Sequence, residues 1–271
     1  MRKRKNIIIV LLAIVVLLAF LSFAINRRYQ TLKLFDAIKC DDYAAVVKSI
    51  NRGASVNDRW NGLVWLFGSE YNPTPLVEAC FNGNENIIKL LVEKGADVNK
   101  TDGATDISPL IAVLGRSGSK RFSLAFYLIE NGADIHYSTI THSPFQRTIR
   151  VLEVDSDETI QEGFELFKYF IDNNVDINKM GSNYSALTCA ASYANYNVVR
   201  YLVENDIFVV DEFDKIGQTA LIEATQVEEI QMVELLLELG ANKDIADSTG
   251  KTAYDYAVEL GNEELIELLK D

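Results

Sequence analysis

The sequence predicts an all-α protein: a stack of small repeated units preceded by one transmembrane helix. Three observations point that way. One phrase returns at a period of roughly 33 residues, which marks a stack of like units instead of a single globular core. Ser or Thr followed by Pro or Ala opens the phrase, a pairing suited to the start of a helix. Finally, residues 7–25 are apolar except for Ser22, with basic residues on both flanks.

The best copy of the phrase runs Thr74-Pro75-Leu76, Glu78-Ala79-Cys80, Gly83, Ile87-Ile88, Leu90-Leu91 and Gly95-Ala96-Asp97-Val98-Asn99. A second runs from Thr219-Ala220-Leu221 through Leu235-Leu236-Leu237 to Gly240-Ala241. The opening returns at Ser108-Pro109-Leu110, Ser143-Pro144-Phe145, Ser185-Ala186-Leu187 and Thr252-Ala253-Tyr254. The exit returns at Gly53-Ala54-Ser55-Val56-Asn57 and Gly132-Ala133-Asp134-Ile135-His136, and decays at Asn174-Val175-Asp176-Ile177-Asn178 and at Asp206-Ile207. This phrase resembles the ankyrin repeat. The resemblance covers residues 32–271 and implies an ankyrin-repeat solenoid of about seven helix-turn-helix units with inter-repeat hairpins.

Each residue type in the phrase has a physical role. Thr or Ser caps the first helix by accepting a backbone N–H, and Pro suits its first turn. Small pairs such as Ala79-Cys80 and Ala190-Ala191 let neighbouring helices approach. Leu90-Leu91 and Leu235-Leu236 give the second helix its apolar stripe, and Gly95, Gly132 and Gly240 end it in the left-handed region. Residues 34–39 match a first helix without the opening turn, and residues 43–50 read as a second helix that is polar on one side. With Glu259, Glu263, Glu264 and Glu267 expected to face water near residue 271, both ends read as capping units.

The N-terminal flank, residues 1–6, carries Arg2, Lys3, Arg4 and Lys5. Residues 7–25 would span roughly 28 Å as a helix, about one hydrocarbon core. The expected division is therefore a basic flank at 1–6, an anchor at 7–25, a linker at 26–31 and the repeats at 32–271. An uncleaved transmembrane anchor is favoured, because the apolar run is long and leads straight into Arg27 and Arg28. A signal peptide cut after Ser22-Phe23-Ala24, giving a secreted protein, is the alternative. The excess of positive charge before the span places the N-terminus in the cytoplasm and the repeats outside it.

Residues 1–28 hold six basic residues and no acid, so residues 29–271 carry 20 basic against 39 acidic residues, a net −19. Such a balance disfavours nucleic acid as a ligand and favours a basic protein partner, or serves solubility alone. Cys40, Cys80 and Cys189 form no Cys-x-x-Cys pair. Cys80 and Cys189 fall at small buried positions, with Cys40 nearer the surface. His136 and His142 have too few neighbouring ligands for a metal site. Residues 115–120 lack the ending of a phosphate loop. No catalytic residue, metal or cofactor is expected.

Departures from regularity carry the functional signal. The first hairpin is about nine residues too long over 58–71 and includes Trp60, Trp65, Phe67 and Tyr71, residue types that anchor interfaces. It either binds a partner or folds back on the first repeat. Residues 151–161 hold about ten extra residues and residues 116–121 about three; the two loops have opposite charge. Arg147, Thr148 and Arg150 replace the small pair of the fourth repeat. The resemblance implies that hairpin tips and first-helix ends line a binding groove. By register that groove holds Tyr71, Phe81, Asn82, Ile107, Arg116, His142, Arg150, Tyr184, Tyr193, Ile216, Gln218 and Gln226. The reading that follows is a monomeric, non-enzymatic, membrane-anchored protein-binding module, attached to the lipid bilayer through residues 7–25. An immunity protein neutralising a toxin, or a scaffold of an envelope complex, are the alternatives.

Overall fold

The structure, a computed structural model, describes residues 2–59, 72–103, 105–116, 118, 120–139, 141–151, 157–178 and 183–270. The chain divides into two compact units, residues 1–109 and 110–271. Among the described residues the elements are helices, and the sole β-type pairing is one bridge between Ala246 and Thr252.

The first unit holds α1 (Arg2–Lys39), α2 (Tyr43–Asn51), α3 (Pro75–Asn82) and α4 (Glu85–Glu93). Over residues 11–25 α1 is apolar around its circumference apart from Ser22, and its side chains are exposed: Phe20 is 69% and Leu17 66% exposed. The most apolar 18-residue window within residues 11–39 has a mean hydropathy of 1.9, so this helix is long and apolar enough to cross a membrane by length and composition, as a signal sequence also is. Its C-terminal part is the first helix of a repeat, with Leu34, Phe35 and Ile38 buried against α2 and α3.

The segment expected as a linker, residues 26–31, is instead continuous helix. The physical reason is a set of bonds to the first hairpin. The Arg27 guanidinium donates to both carboxylate oxygens of Asp58 at 2.9 and 3.0 Å and to Ser55 Oγ at 3.0 Å. The Ser55 amide donates to Thr31 Oγ1 at 2.9 Å, and Asn26 Nδ2 donates to the Arg52 carbonyl at 3.1 Å. Gln30 and Thr31 are buried as a result.

The second unit contains α5 (Pro109–Leu114), which begins at the boundary, α6 (Arg121–Glu130), α7 (Pro144–Val151), α8 (Asp157–Asp172), α9 (Ala186–Ser192) and α10 (Tyr196–Glu204). It continues with α11 (Ala220–Gln226), α12 (Ile230–Glu238), α13 (Ala253–Leu260) and α14 (Glu263–Leu269). First helices stack on first helices, α7 on α9, α9 on α11 and α11 on α13, while α6 packs on α8 and α12 on α14. The small residues explain the close stacking: Ala190, Ala191, Ala224 and Ala257 are fully buried. Among the described residues the helices form seven pairs, two in the first unit and five in the second.

The capping pattern is present in detail. Thr74, Ser143, Ser185, Thr219 and Thr252 each accept from the amide three residues on, at 3.1–3.4 Å. Second helices end with Gly95, Gly132 and Gly240 at φ of 80°, 89° and 90°. Where the exit decays, Asn174 and Asp206 take the same left-handed region at φ of 56° and 55°. Asn and Asp tolerate it better than other side chains, so the consensus erodes along the least costly route. The fourth repeat keeps the pattern despite its substitutions, since Thr148 is fully buried and donates to the Pro144 carbonyl at 3.0 Å. Residues 157–161, expected within an inserted loop, form the first turns of α8, which is 16 residues long.

Candidate protein-binding surface

The hairpins that carry the predicted surface are built around buried aspartates, a signal not read from the sequence. In the second unit, Asp214 Oδ1 accepts from the amides of Ile216 and Gln218 at 3.0 and 2.9 Å. Thirty-three residues later, Asp247 Oδ1 accepts from the amides of Thr249 and Lys251 at 2.8 and 3.1 Å. Asp247 Oδ2 also takes a bond from the Tyr256 hydroxyl at 2.6 Å. Burial alone would raise this carboxyl, but the bonds from Tyr256, Thr249 and Lys251 outweigh it and hold the group at about 2. Asp102 plays the same part in the first unit, accepting from Thr105 and Ile107 amides. In the hairpin before α7, Thr139 Oγ1 substitutes, accepting from the Thr141 and His142 amides at 3.3 and 2.9 Å. The repeat at 33 residues was the available clue.

In the first unit, Phe81 is exposed at 37% on α3. Its neighbour Asn82 is committed to structure, with Nδ2 donating to the Ile38 carbonyl at 3.0 Å. Ile107 is half-buried and closes its hairpin through the 3.1 Å bond from the Asp102 amide to its carbonyl. Trp60, Trp65, Phe67 and Tyr71 lie outside the described residues, as do residues 152–156 of the longer inserted loop.

In the second unit the structure brings several predicted residues together. His142 stands at the hairpin end before α7, and Arg147 Nη2 lies 3.1 Å from its Nδ1. One turn further along α7, Arg150 Nε donates to the Tyr193 hydroxyl at 2.8 Å while its guanidinium carbon sits 5.1 Å from the Tyr193 ring centroid. Burial, then the Arg147 charge, lowers the His142 pKa; burial, then Arg150, lowers that of Arg147. Next along the surface, Glu223 accepts hydroxyl bonds from Ser192 and Tyr184, and burial raises its pKa despite them. Burial and then Glu223 raise the Tyr184 phenol. Between Arg150 and Glu223 lies Cys189, whose thiol burial pushes up to about 12. Cys80 is likewise fully buried, and Cys40 is exposed.

Ile216, 44% exposed, and half-buried Gln218 occupy the Asp214 hairpin, and half-buried Gln226 ends α11. Arg116 is half-buried after α5, where its carbonyl accepts from the buried Arg121 at 3.2 Å. Arg147 is the member of the cluster that the register argument passed over.

Residues 34–139 and 209–271 match the family described as Ankyrin repeats (3 copies), and residues 160–203 match Ankyrin repeats (many copies). The chain belongs to the ankyrin-repeat family. It is 25% identical over 206 residues to the ankyrin repeat protein YahD of Escherichia coli (strain K12), across 73% of this chain and 94% of that one. An ankyrin repeat domain from Acinetobacter baumannii AYE superposes with a TM-score of 0.54 at 26% identity, covering 72% of this chain and 95% of that one. The human ASB11 ankyrin repeat domain shares the fold with a TM-score of 0.65 at 24% identity, covering 87% of this chain and 95% of that one. Ankyrin repeats form a scaffold for protein–protein interaction, generally without enzymatic activity, and all-α repeats of that kind make up the two units here.

Proposed function

We propose that this chain is a membrane-anchored binding module whose repeats stand outside the cytoplasm and hold a basic protein partner. The observation that carries the anchor is α1 itself, whose exposed apolar stretch runs without a break into the first repeat. A helix apolar all round is stable only where apolar surroundings cover it, and about 20 such residues suit a bilayer. The binding half of the reading rests on the family and on the surface of hairpins and first-helix ends. Aromatic and arginine side chains there, Arg150 and Tyr193 above all, are of the kinds that anchor interfaces.

The full-length protein purified from its native membranes, with copurifying proteins identified by mass, tests this reading. One stoichiometric partner is expected, and Tyr193→Ala is expected to weaken its binding roughly 30-fold, the effect of a 2 kcal/mol hot spot. Trp65→Ala asks the same of the aromatic hairpin. Recovery of no specific partner would overturn the reading.

A further inference from the structure

Two arginines of this acidic chain sit in ion pairs: Arg27 with Asp58 at 2.9 Å, and Arg200 with Glu204 and Glu238 at 3.1 and 3.3 Å. Arg147 and Arg150 differ. Among the described residues no carboxylate hydrogen-bonds to either or forms an ion pair with it; their contacts are His142 and Tyr193. The Arg147 Nε atom is buried without a hydrogen-bond partner. A desolvated guanidinium nitrogen left unpaired is costly, and the Arg150 charge beside Arg147 adds repulsion.

The repeat register accounts for the lack of a facing acid among the described residues of this row. Counted from the capping Ser or Thr, Arg147 is at cap plus four. Ala112 and Cys189 occupy that position in the preceding and following repeats, and the nearest acid in that row within the unit is Glu223, two repeats on. Glu223 is itself occupied by the hydroxyls of Ser192 and Tyr184. Gly115, at cap plus seven of the preceding repeat, borders Arg147 and brings no charge to it. Arg150, by contrast, is exposed and is braced by the Tyr193 ring and hydroxyl, which fixes its fork without neutralising it.

We infer that Arg147 and Arg150, with the Tyr193 hydroxyl and His142 beside them, form a binding site for one carboxylate side chain of the partner protein. Two guanidinium groups present donors in a fixed geometry suited to a carboxylate. The surrounding acidic surface selects the context: residues 60–271 carry 15 basic against 35 acidic residues, so the carboxylate is one flanked by basic residues. This inference rests on the protein-binding reading above and specifies its anchor point.

The chain's only two histidines provide the probe, since His142 lies in the site and His136 is on the exposed hairpin outside it. Imidazole resonances of the full-length protein in detergent would be followed during titration with a capped Lys-Lys-Glu-Lys-Lys peptide and its Lys-Lys-Gln-Lys-Lys counterpart. The Glu peptide is expected to shift His142 saturably, to leave His136 in place, and to bind about tenfold more tightly than the Gln peptide, as loss of one charge-assisted pair predicts. That preference is expected to vanish in Arg150→Gln and in Arg147→Gln and to persist in Arg200→Gln, a control on the outer helix. Equal affinity for the two peptides, or an unchanged preference in both site variants of intact fold, would overturn the site. Failure of the broader reading shows separately, as a retained peptide preference in a protein that recovers no partner from native membranes.

Discussion

Ala194 adopts a φ of 49° at the turn after α9, where Gly83 and Gly261 serve the equivalent turns at 75° and 71°. An alanine Cβ is strained in the left-handed region and a glycine is not. Ala194→Gly is therefore expected to stabilise the fold by about 1 kcal/mol, read as a higher midpoint in chemical denaturation. Asp247 makes the opposite case, a residue already optimal. Its folded pKa of about 2 lies below the usual unfolded value of about 3.9, so its contribution is complete above the unfolded value and drains away as pH falls towards 2. Asp247→Asn should cost about 1 kcal/mol at pH 7 and nearly nothing at pH 2, a convergence that denaturation at the two pH values would show. The Ser and Thr caps and the Gly exits were legible in the sequence because each acts on backbone within three or four residues. The aspartate anchors were not singled out, since a surface Asp and a turn-closing Asp look alike until the hairpin amides converge on one. Arg147 was legible only as a lost small residue; its lack of a carboxylate partner among the described residues depends on what Ala112, Cys189 and Glu223 contribute from other repeats.

At the scale of elements, the first helices stack closely because their facing residues are small. Ala190, fully buried on α9 between α7 and α11, has no room to grow. Ala190→Leu should destabilise by about 1–3 kcal/mol through overpacking, measurable by thermal unfolding of the purified protein. α1 shows where local reading fell short. Residues 26–31 are polar and follow an apolar run, which reads as a linker, yet Arg27, Thr31 and Asn26 find Asp58, Ser55 and Arg52 some 24 to 31 residues away. Amides at 26–31 should accordingly exchange hydrogen as slowly as those at 34–38 in the bilayer-embedded protein, and a fast-exchanging 26–31 would restore the linker. The inserted residues of the fourth repeat show the same limit: 157–161 continue the periodic pattern of α8, which counting surplus residues against a period cannot reveal.

For the molecule as a whole, charge is distributed unevenly along the chain. Residues 26–59 carry seven basic and four acidic residues, whereas residues 60–271 are strongly acidic. Positive charge next to the apolar stretch of α1 suits anionic lipid headgroups, and negative charge beyond it suits a basic partner arriving from solution. The number of repeats and their family were legible throughout, because a solenoid writes the same local solution many times. Where the repeats stand relative to a membrane is the account's central claim, and Cys40 offers a direct test. It is the one exposed thiol, Cys80 and Cys189 being fully buried, and it lies just beyond the end of α1. Full-length protein in right-side-out and inside-out membrane vesicles would be treated with a membrane-impermeant maleimide, and the labelled chain weighed. The account predicts labelling at Cys40 in right-side-out vesicles only, on a membrane-bound chain that retains residues 7–25. Labelling from the cytoplasmic face, or a soluble chain beginning after Ala24, would contradict it.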